Sequence, residues 1–248
     1  MNDPDNLLVD QYSIQNLNSV GMDKIAIGDV LKGKKGVFFD MDGVIYDSMG
    51  YHADAWSNAF RHYGIDFSPE MVYQNEGRTF SSTINLVYRQ NEMRDATDAE
   101  IDQIYSKKTE LIAAFPDAIP FEGAMSLMEG LKKQGVAIWV VTGSSQEKYL
   151  EALVNDFDGL VSMERIISGN DVKHGKPDPE PYLKALQKSG LPSEDVLVIE
   201  NAPLGIQSAK AAGIFTVAVN TGILNDRILW ESGADIVIWD LNELQQSI

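Results

Sequence analysis

The chain has 248 residues, is 44% hydrophobic, contains no cysteine and carries a formal net charge of -17. That length allows one large domain or two modest ones. The missing cysteines exclude disulfides, thiolate chemistry and cysteine-based zinc sites, and the acidity argues against a nucleic-acid partner, which needs a basic footprint.

Residues 1–33 read as an N-terminal extension of scattered acids and amides, with a short surface helix expected and Met22 as an alternative start. The stretch lacks the basic start and apolar segment of a signal peptide, and no apolar run in the chain approaches a membrane span. A cytoplasmic, reducing location and no membrane partner are expected.

From Gly36 onward, strand patterns alternate with helical ones. Short runs rich in Val, Ile, Phe or Trp predict strands at Val37–Asp40, Ala137–Thr142, Arg165–Ser168, Val196–Glu200, Phe215–Val219 and Ile236–Trp239. Helices are predicted at Ala124–Gln134, Gln146–Asn155, Pro179–Lys188 and Pro203–Ala212, with Gly135 and Gly213 closing the first and last. This alternation predicts an α/β fold with a parallel sheet covered on both faces.

Residues 49–118 break the rhythm. They hold helical patterns at Tyr51–His62, Ser82–Gln90 and Asp98–Ala114 and no convincing strand, and the Pro116–Pro120 segment reads as a return hinge. We expect a core built from residues 34–48 and 119–248, and a helical cap placed as a lid over the active edge of the sheet.

The first strand ends in Asp40-Met41-Asp42-Gly43. Ligands of open α/β sheets lie beyond the carboxyl ends of the strands, and two adjacent carboxylates there call for a cation, a shared proton, or both. Three later segments sharpen this. Val140-Val141-Thr142-Gly143-Ser144 ends a strand in a hydroxyl and a small turn. Gly175-Lys176-Pro177-Asp178-Pro179 places a lysine in a loop before a helix, and Val198-Ile199-Glu200-Asn201-Ala202-Pro203 ends a strand in an acid and an amide.

These parts fit phosphoryl transfer. Asp40, nearest its strand end, is the natural nucleophile for an aspartyl-phosphate. Asp42 is placed to protonate the leaving group and then activate water, a role for which a raised pKa is expected. Thr142 and Lys176 are expected to hold phosphate oxygens, with Gly143, Ser144 and Ser145 beside them. Mg²⁺, which prefers oxygen ligands, is expected near Asp40, the Asp42 carbonyl, Glu200 and Asn201, directly or through water.

The four motifs in this order, with a helical insert after the first, resemble the haloacid-dehalogenase superfamily in its β-phosphoglucomutase-like branch. The resemblance runs from about Lys34 to the end. It implies a Rossmann-like core, a helical cap, Mg²⁺, an aspartyl-phosphate intermediate and a small phosphorylated substrate. Tyr51-His52-Ala53-Asp54-Ala55-Trp56 resembles the family's first cap helix. There His52 serves either as a structural hinge residue or in acid/base or substrate contact, while Trp56 reads as cap core. Lys108 matches a family position that faces substrate; the alternative is a surface lysine. His174 reads as loop structure. A monomer or weak oligomer is expected.

Three departures bear on substrate. The branch usually has Glu-Asp where this chain has Glu200-Asn201, so an amide replaces a carboxylate charge at the metal. Glu76, in the cap segment Asn75-Glu76-Gly77-Arg78-Thr79, either compensates by closing over the metal or is a solvated loop acid. The mutase pattern expects an arginine where Phe80 stands and tends to have serine at Thr142. Members that share the Glu-Gly-Arg-Thr and Glu-Asn-Ala-Pro segments look like pyrophosphatases, with Arg78 and Lys108 facing the distal phosphate. The leading expectation is a Mg²⁺-dependent hydrolase of a small phosphorylated metabolite or inorganic pyrophosphate. β-Phosphoglucomutase is the alternative, and a non-catalytic phosphate-binding relic is a third reading.

Overall fold

The computed structural model describes residues 29–247; the surface helix expected in the extension and the alternative start at Met22 lie outside them. Six parallel strands form one sheet in the order β3-β2-β1-β4-β5-β6. They are β1 (Gly36–Phe39), β2 (Ala137–Val141), β3 (Ile166–Ile167), β4 (Val196–Glu200), β5 (Phe215–Val219) and β6 (Ile236–Ile238). β3 is shorter than expected because Met163–Arg165 winds into a 3-10 turn ahead of it.

β1 is central, and its Phe39 is in register with Val140 of β2 and Ile199 of β4. Its four residues are all buried, as a continuous apolar strand in a two-sided sheet must be. Successive side chains alternate between faces. Val37 and Phe39 join one apolar cluster, and Phe38 joins the cluster on the opposite face with Trp139, Val198 and Tyr182. Val30 and Leu31, before the expected start of the core at residue 34, are buried in the first of these clusters.

The insert after β1 comprises α1 (Met49–His62), α2 (Pro69–Gln74), α3 (Phe80–Glu92) and α4 (Asp98–Ile112). Ser68 and Thr79 each cap the helix that follows, and Thr97 forms a capping box with Glu100. The short α2, opened by a proline at its first position, escaped the sequence reading. These helices surround their own apolar cluster, with Trp56, Phe60, Phe67, Ile84, Val87 and Ile104 at its centre. The two connections to the sheet run side by side: Asp47 donates to the Ile119 carbonyl and Phe121 to the Ile45 carbonyl, both at 2.9 Å.

The remaining helices are α5 (Ala124–Lys133), α6 (Glu147–Asp156), α7 (Glu180–Ser189), α8 (Pro203–Ala211) and α9 (Asp226–Glu231), the last also unforeseen. Gly135 and Gly213 both adopt positive φ just beyond α5 and α8, the left-handed exit that glycine permits. Among the described residues no helix is long and apolar enough to cross a membrane.

Candidate active site

The strand order reverses direction about β1 and β4, and such a switch point opens a crevice at the carboxyl edge. Asp40 follows β1, Thr142 follows β2 and Glu200 is the last residue of β4, so all three meet there. Lys176 enters from the loop before α7. Its ammonium is buried and donates to Asp40 Oδ1 at 2.5 Å, Glu200 Oε1 at 2.6 Å and the Val141 carbonyl at 3.1 Å. Three donors meet three acceptors, so the charge is fully partnered.

Glu200 is 0% exposed. Its Oε1 accepts from Lys176 and from the Tyr182 hydroxyl at 2.9 Å, and its Oε2 accepts from the Asn201 and Ala202 amides at 2.9 and 3.1 Å. Four donors occupy the carboxylate. Against the expectation that Glu200 supplies oxygen to a cation, the side chain is here an anchor for Lys176 and for the turn into α8. Gly205 makes room for it, since a Cβ there would overlap the carboxylate.

Burial raises the Asp40 carboxyl, and Glu200 and Asp42 push it further up, while Lys176 opposes them; the net direction is well upward. Lys176 is held above its usual range, because Asp40 and Glu200 outweigh the burial that would lower it. Burial and the same two carboxylates push the Tyr182 phenol up, which keeps it a donor.

Asp42 contradicts the expectation of a raised pKa. Burial acts in that direction, but His52, the Ser48 hydroxyl and Lys108 outweigh it and bring the carboxyl down to about 2. Ser48 donates to Asp42 Oδ1 at 2.6 Å, and His52 Nε2 lies 3.4 Å from the same oxygen. Lys108 Nζ stands 3.5 Å from His52 Nδ1 and 5.5 Å over the Trp56 ring. The two aspartates therefore belong to different networks: Asp40 turns to the core lysine, Asp42 to the cap.

The cap residues gather over this edge. Lys108 is 5% exposed, which excludes the surface-lysine alternative. Glu76, half-buried, is pushed up by burial and by Asp42, with His52 and Lys108 opposing, and it lines the same cavity as these three residues. Gly77, at φ +91°, packs directly on the Lys176 stem, and a Cβ on Gly143 would lie 3.4 Å from the Gly77 carbonyl. The cap is thus closed on the core through bare backbone. Arg78 donates to Asn75 Oδ1 at 3.2 Å and Ser82 Oγ at 3.4 Å. Neither Arg78 nor Lys108 joins an ion pair with an acid among the described residues.

A cavity of about 420 Å³ runs between cap and core. Asp42, His52, Glu76, Arg78, Lys108, Gly143 and Ser144 line it, as do the stacked rings of Tyr51 and Phe115, 4.7 Å apart. Thr142 is buried, and its hydroxyl accepts from the Ser144 amide at 3.0 Å. His174 pairs with Glu180 at the surface, 3.1 Å away, a loop contact as expected.

The donor set suits a hard cation. Asn201 Oδ1 is buried without a hydrogen-bond partner, the one such side-chain acceptor at this edge among the described residues. The amide packs against Gly43, whose φ of +84° leaves the space a Cβ would fill. A buried orphan oxygen at the edge where Asp40 also follows its strand matches the oxygen preference of Mg²⁺.

Two contributors were missed in the sequence. Ser48 precedes α1 where a capping residue is expected, yet its hydroxyl makes no cap and binds Asp42 instead. Tyr182 reads as an ordinary apolar position of α7. Neither carries a motif signal.

Residues 37–219 match the family model of haloacid dehalogenase-like hydrolases. The chain belongs to this family. It is 29% identical to hexitol phosphatase A of Escherichia coli, over 85% of this chain and 93% of that one. To glycerol-1-phosphate phosphohydrolase 2 of Saccharomyces cerevisiae it is 32% identical, over 81% and 80%. A solved structure from Bacteroides vulgatus named for β-phosphoglucomutase superposes with a TM-score of 0.82 at 40% identity, covering 98% of both chains. The chain is accordingly an α/β member of the haloacid dehalogenase-like hydrolases.

Proposed function

We propose that the chain is a Mg²⁺-dependent phosphohydrolase of small phosphorylated metabolites or inorganic pyrophosphate, working through an aspartyl-phosphate on Asp40. The observation that carries this is the Lys176 ammonium held between Asp40 and Glu200 at the switch point of the sheet. An Asp40 oxygen attacks phosphorus, forming an O–P bond as the bond to the leaving oxygen breaks. Lys176 and the Thr142 hydroxyl hold the equatorial oxygens. Asp42 gives a proton to the leaving oxygen and then takes one from the water that cleaves the acyl phosphate. To carry that proton, Asp42 must first leave the His52 and Ser48 contacts that keep it ionised. Asp40, the Asp42 carbonyl and Asn201 Oδ1 would hold the magnesium, whose charge offsets that of the phosphoryl group.

The cap favours pyrophosphate. Arg78, which makes no ion pair among the described residues, and Lys108, whose charge faces Asp42 and Glu76, supply positive charge across the cavity from the core, where the distal phosphate would sit. A second reading, a phosphorylated sugar or polyol, is favoured by the cavity volume, which lies in the range for metabolite-sized ligands, and by the substrates in the relatives' names.

The test is phosphate release with and without Mg²⁺ from pyrophosphate, hexose phosphates and polyol phosphates, beside a coupled assay for isomerisation of β-glucose 1-phosphate. Highest kcat/KM on pyrophosphate supports the first reading and on a sugar or polyol phosphate the second. Isomerisation outpacing hydrolysis would replace both with a mutase, and no turnover of any substrate would leave the binding relic.

A further inference from the structure

We propose that the Tyr182 hydroxyl is a positioning group of the reaction: by sharing Glu200 Oε1 with Lys176, it sets how far the ammonium leans toward Asp40. The inference rests on the function proposed above. Tyr182 is completely buried on α7, behind the sheet edge and away from the cavity, so it touches no substrate. Its hydroxyl lies 2.9 Å from Glu200 Oε1, the same oxygen that Lys176 Nζ approaches at 2.6 Å. Its ring lies under that ammonium, 5.4 Å from centroid to Nζ.

The chain of contacts is Tyr182 Oη to Glu200 Oε1 to Lys176 Nζ to Asp40 Oδ1. One oxygen that accepts from two donors binds each less tightly than it would bind one alone. Without the hydroxyl, Glu200 Oε1 keeps a single donor and draws the ammonium toward itself. Lys176 then moves away from Asp40 and from the phosphoryl oxygens that arrive there. The ring, by contrast, stabilises the cation without choosing between the two carboxylates. Hydroxyl and ring thus have separable effects at one position.

The test is Tyr182→Phe, which keeps the ring and removes the hydroxyl. Steady-state kinetics and thermal unfolding are measured with Mg²⁺ on whichever substrate the wild type turns over. A loss in kcat of about tenfold is expected, with KM within about twofold, because the affected contact lies at the reacting group and not at the cavity. A merely structural tyrosine would lower Tm and leave kcat per folded molecule unchanged, and that result would overturn the proposal. A double-mutant cycle with Glu200→Gln checks the route. If the hydroxyl acts through Glu200, its removal costs little further in the Gln background; full additivity of the two losses would also overturn it. Wild-type turnover that is lost in Asp40→Asn keeps the functional reading standing whatever Tyr182→Phe shows, so the two claims fail separately.

Discussion

The core half of the site and the cap half are built differently. At Asp40, Lys176 and Glu200 every donor meets an acceptor within 3.1 Å, in full burial. Around Asp42 the Ser48 hydroxyl is close at 2.6 Å, but the contacts that run on through the cap, Asp42 to His52 and His52 to Lys108, are 3.4 and 3.5 Å, and Arg78 hydrogen-bonds only neutral groups among the described residues. A saturated network tolerates one geometry, while a loose set of half-satisfied cations can exchange its contacts for those of a ligand. The difference is the one expected if the core carries the proposed chemistry and the cap chooses the substrate.

Variants on the two sides should therefore fail in different ways. The largest effect belongs to Asp40→Asn, which should lower kcat by on the order of 10⁴-fold or more while circular dichroism shows an intact fold. Lys176→Met comes next, leaving two buried carboxylates without their cation. It should abolish useful turnover and cost about 3–5 kcal/mol in urea unfolding; wild-type stability would show that the network is less buried than its geometry implies. On the cap side, Arg78→Ala should leave stability nearly unchanged, and both Arg78→Ala and Lys108→Ala should raise KM for pyrophosphate by about 10- to 100-fold, the worth of a charged hydrogen bond. The same variants should raise KM less for a sugar phosphate. A pure kcat loss at Arg78 would move that residue to the chemical side of the comparison.

The smallest effect is on acid stability. The folded-state pKa of Asp42 is depressed from 3.8 to about 2, so the unfolded chain binds the proton first as the pH falls. The stabilisation is complete above 3.8 and is lost as pH falls through about 2. Asp42→Asn should flatten the pH dependence of unfolding across that window, measured by denaturant titration at several pH values. An unchanged slope would show that His52, Ser48 and Lys108 do not hold the carboxyl as their positions imply.

The core half was legible in the sequence because topology does the placing. Groups that end parallel strands share one edge, whatever the loops do, so Asp40, Thr142 and Glu200 could be brought together from three short apolar runs. The cap half was legible only as helices. Periodicity shows which side of α1 and α4 meets the cap core, but not that Lys108 lies buried over Trp56 or that Ser48 gives up its capping role to bind Asp42. The pKa of Asp42 was misjudged for a related reason. Two carboxylates one residue apart suggested mutual repulsion, yet past the strand end each turns to a different partner. Tyr182 was invisible because a buried tyrosine on an amphipathic helix looks like packing until its hydroxyl is seen on Glu200.

The central claim, that Asp40 carries the phosphoryl group, is tested most directly by rapid acid quenching of enzyme, Mg²⁺ and ³²P-labelled substrate, followed by peptide mapping. The account predicts a hydroxylamine-labile phosphate on the peptide that contains Asp40, formed at a rate that can support turnover and missing in Asp40→Asn. Phosphate release by Asp40→Asn at the wild-type rate, or label found only on another residue, would contradict it.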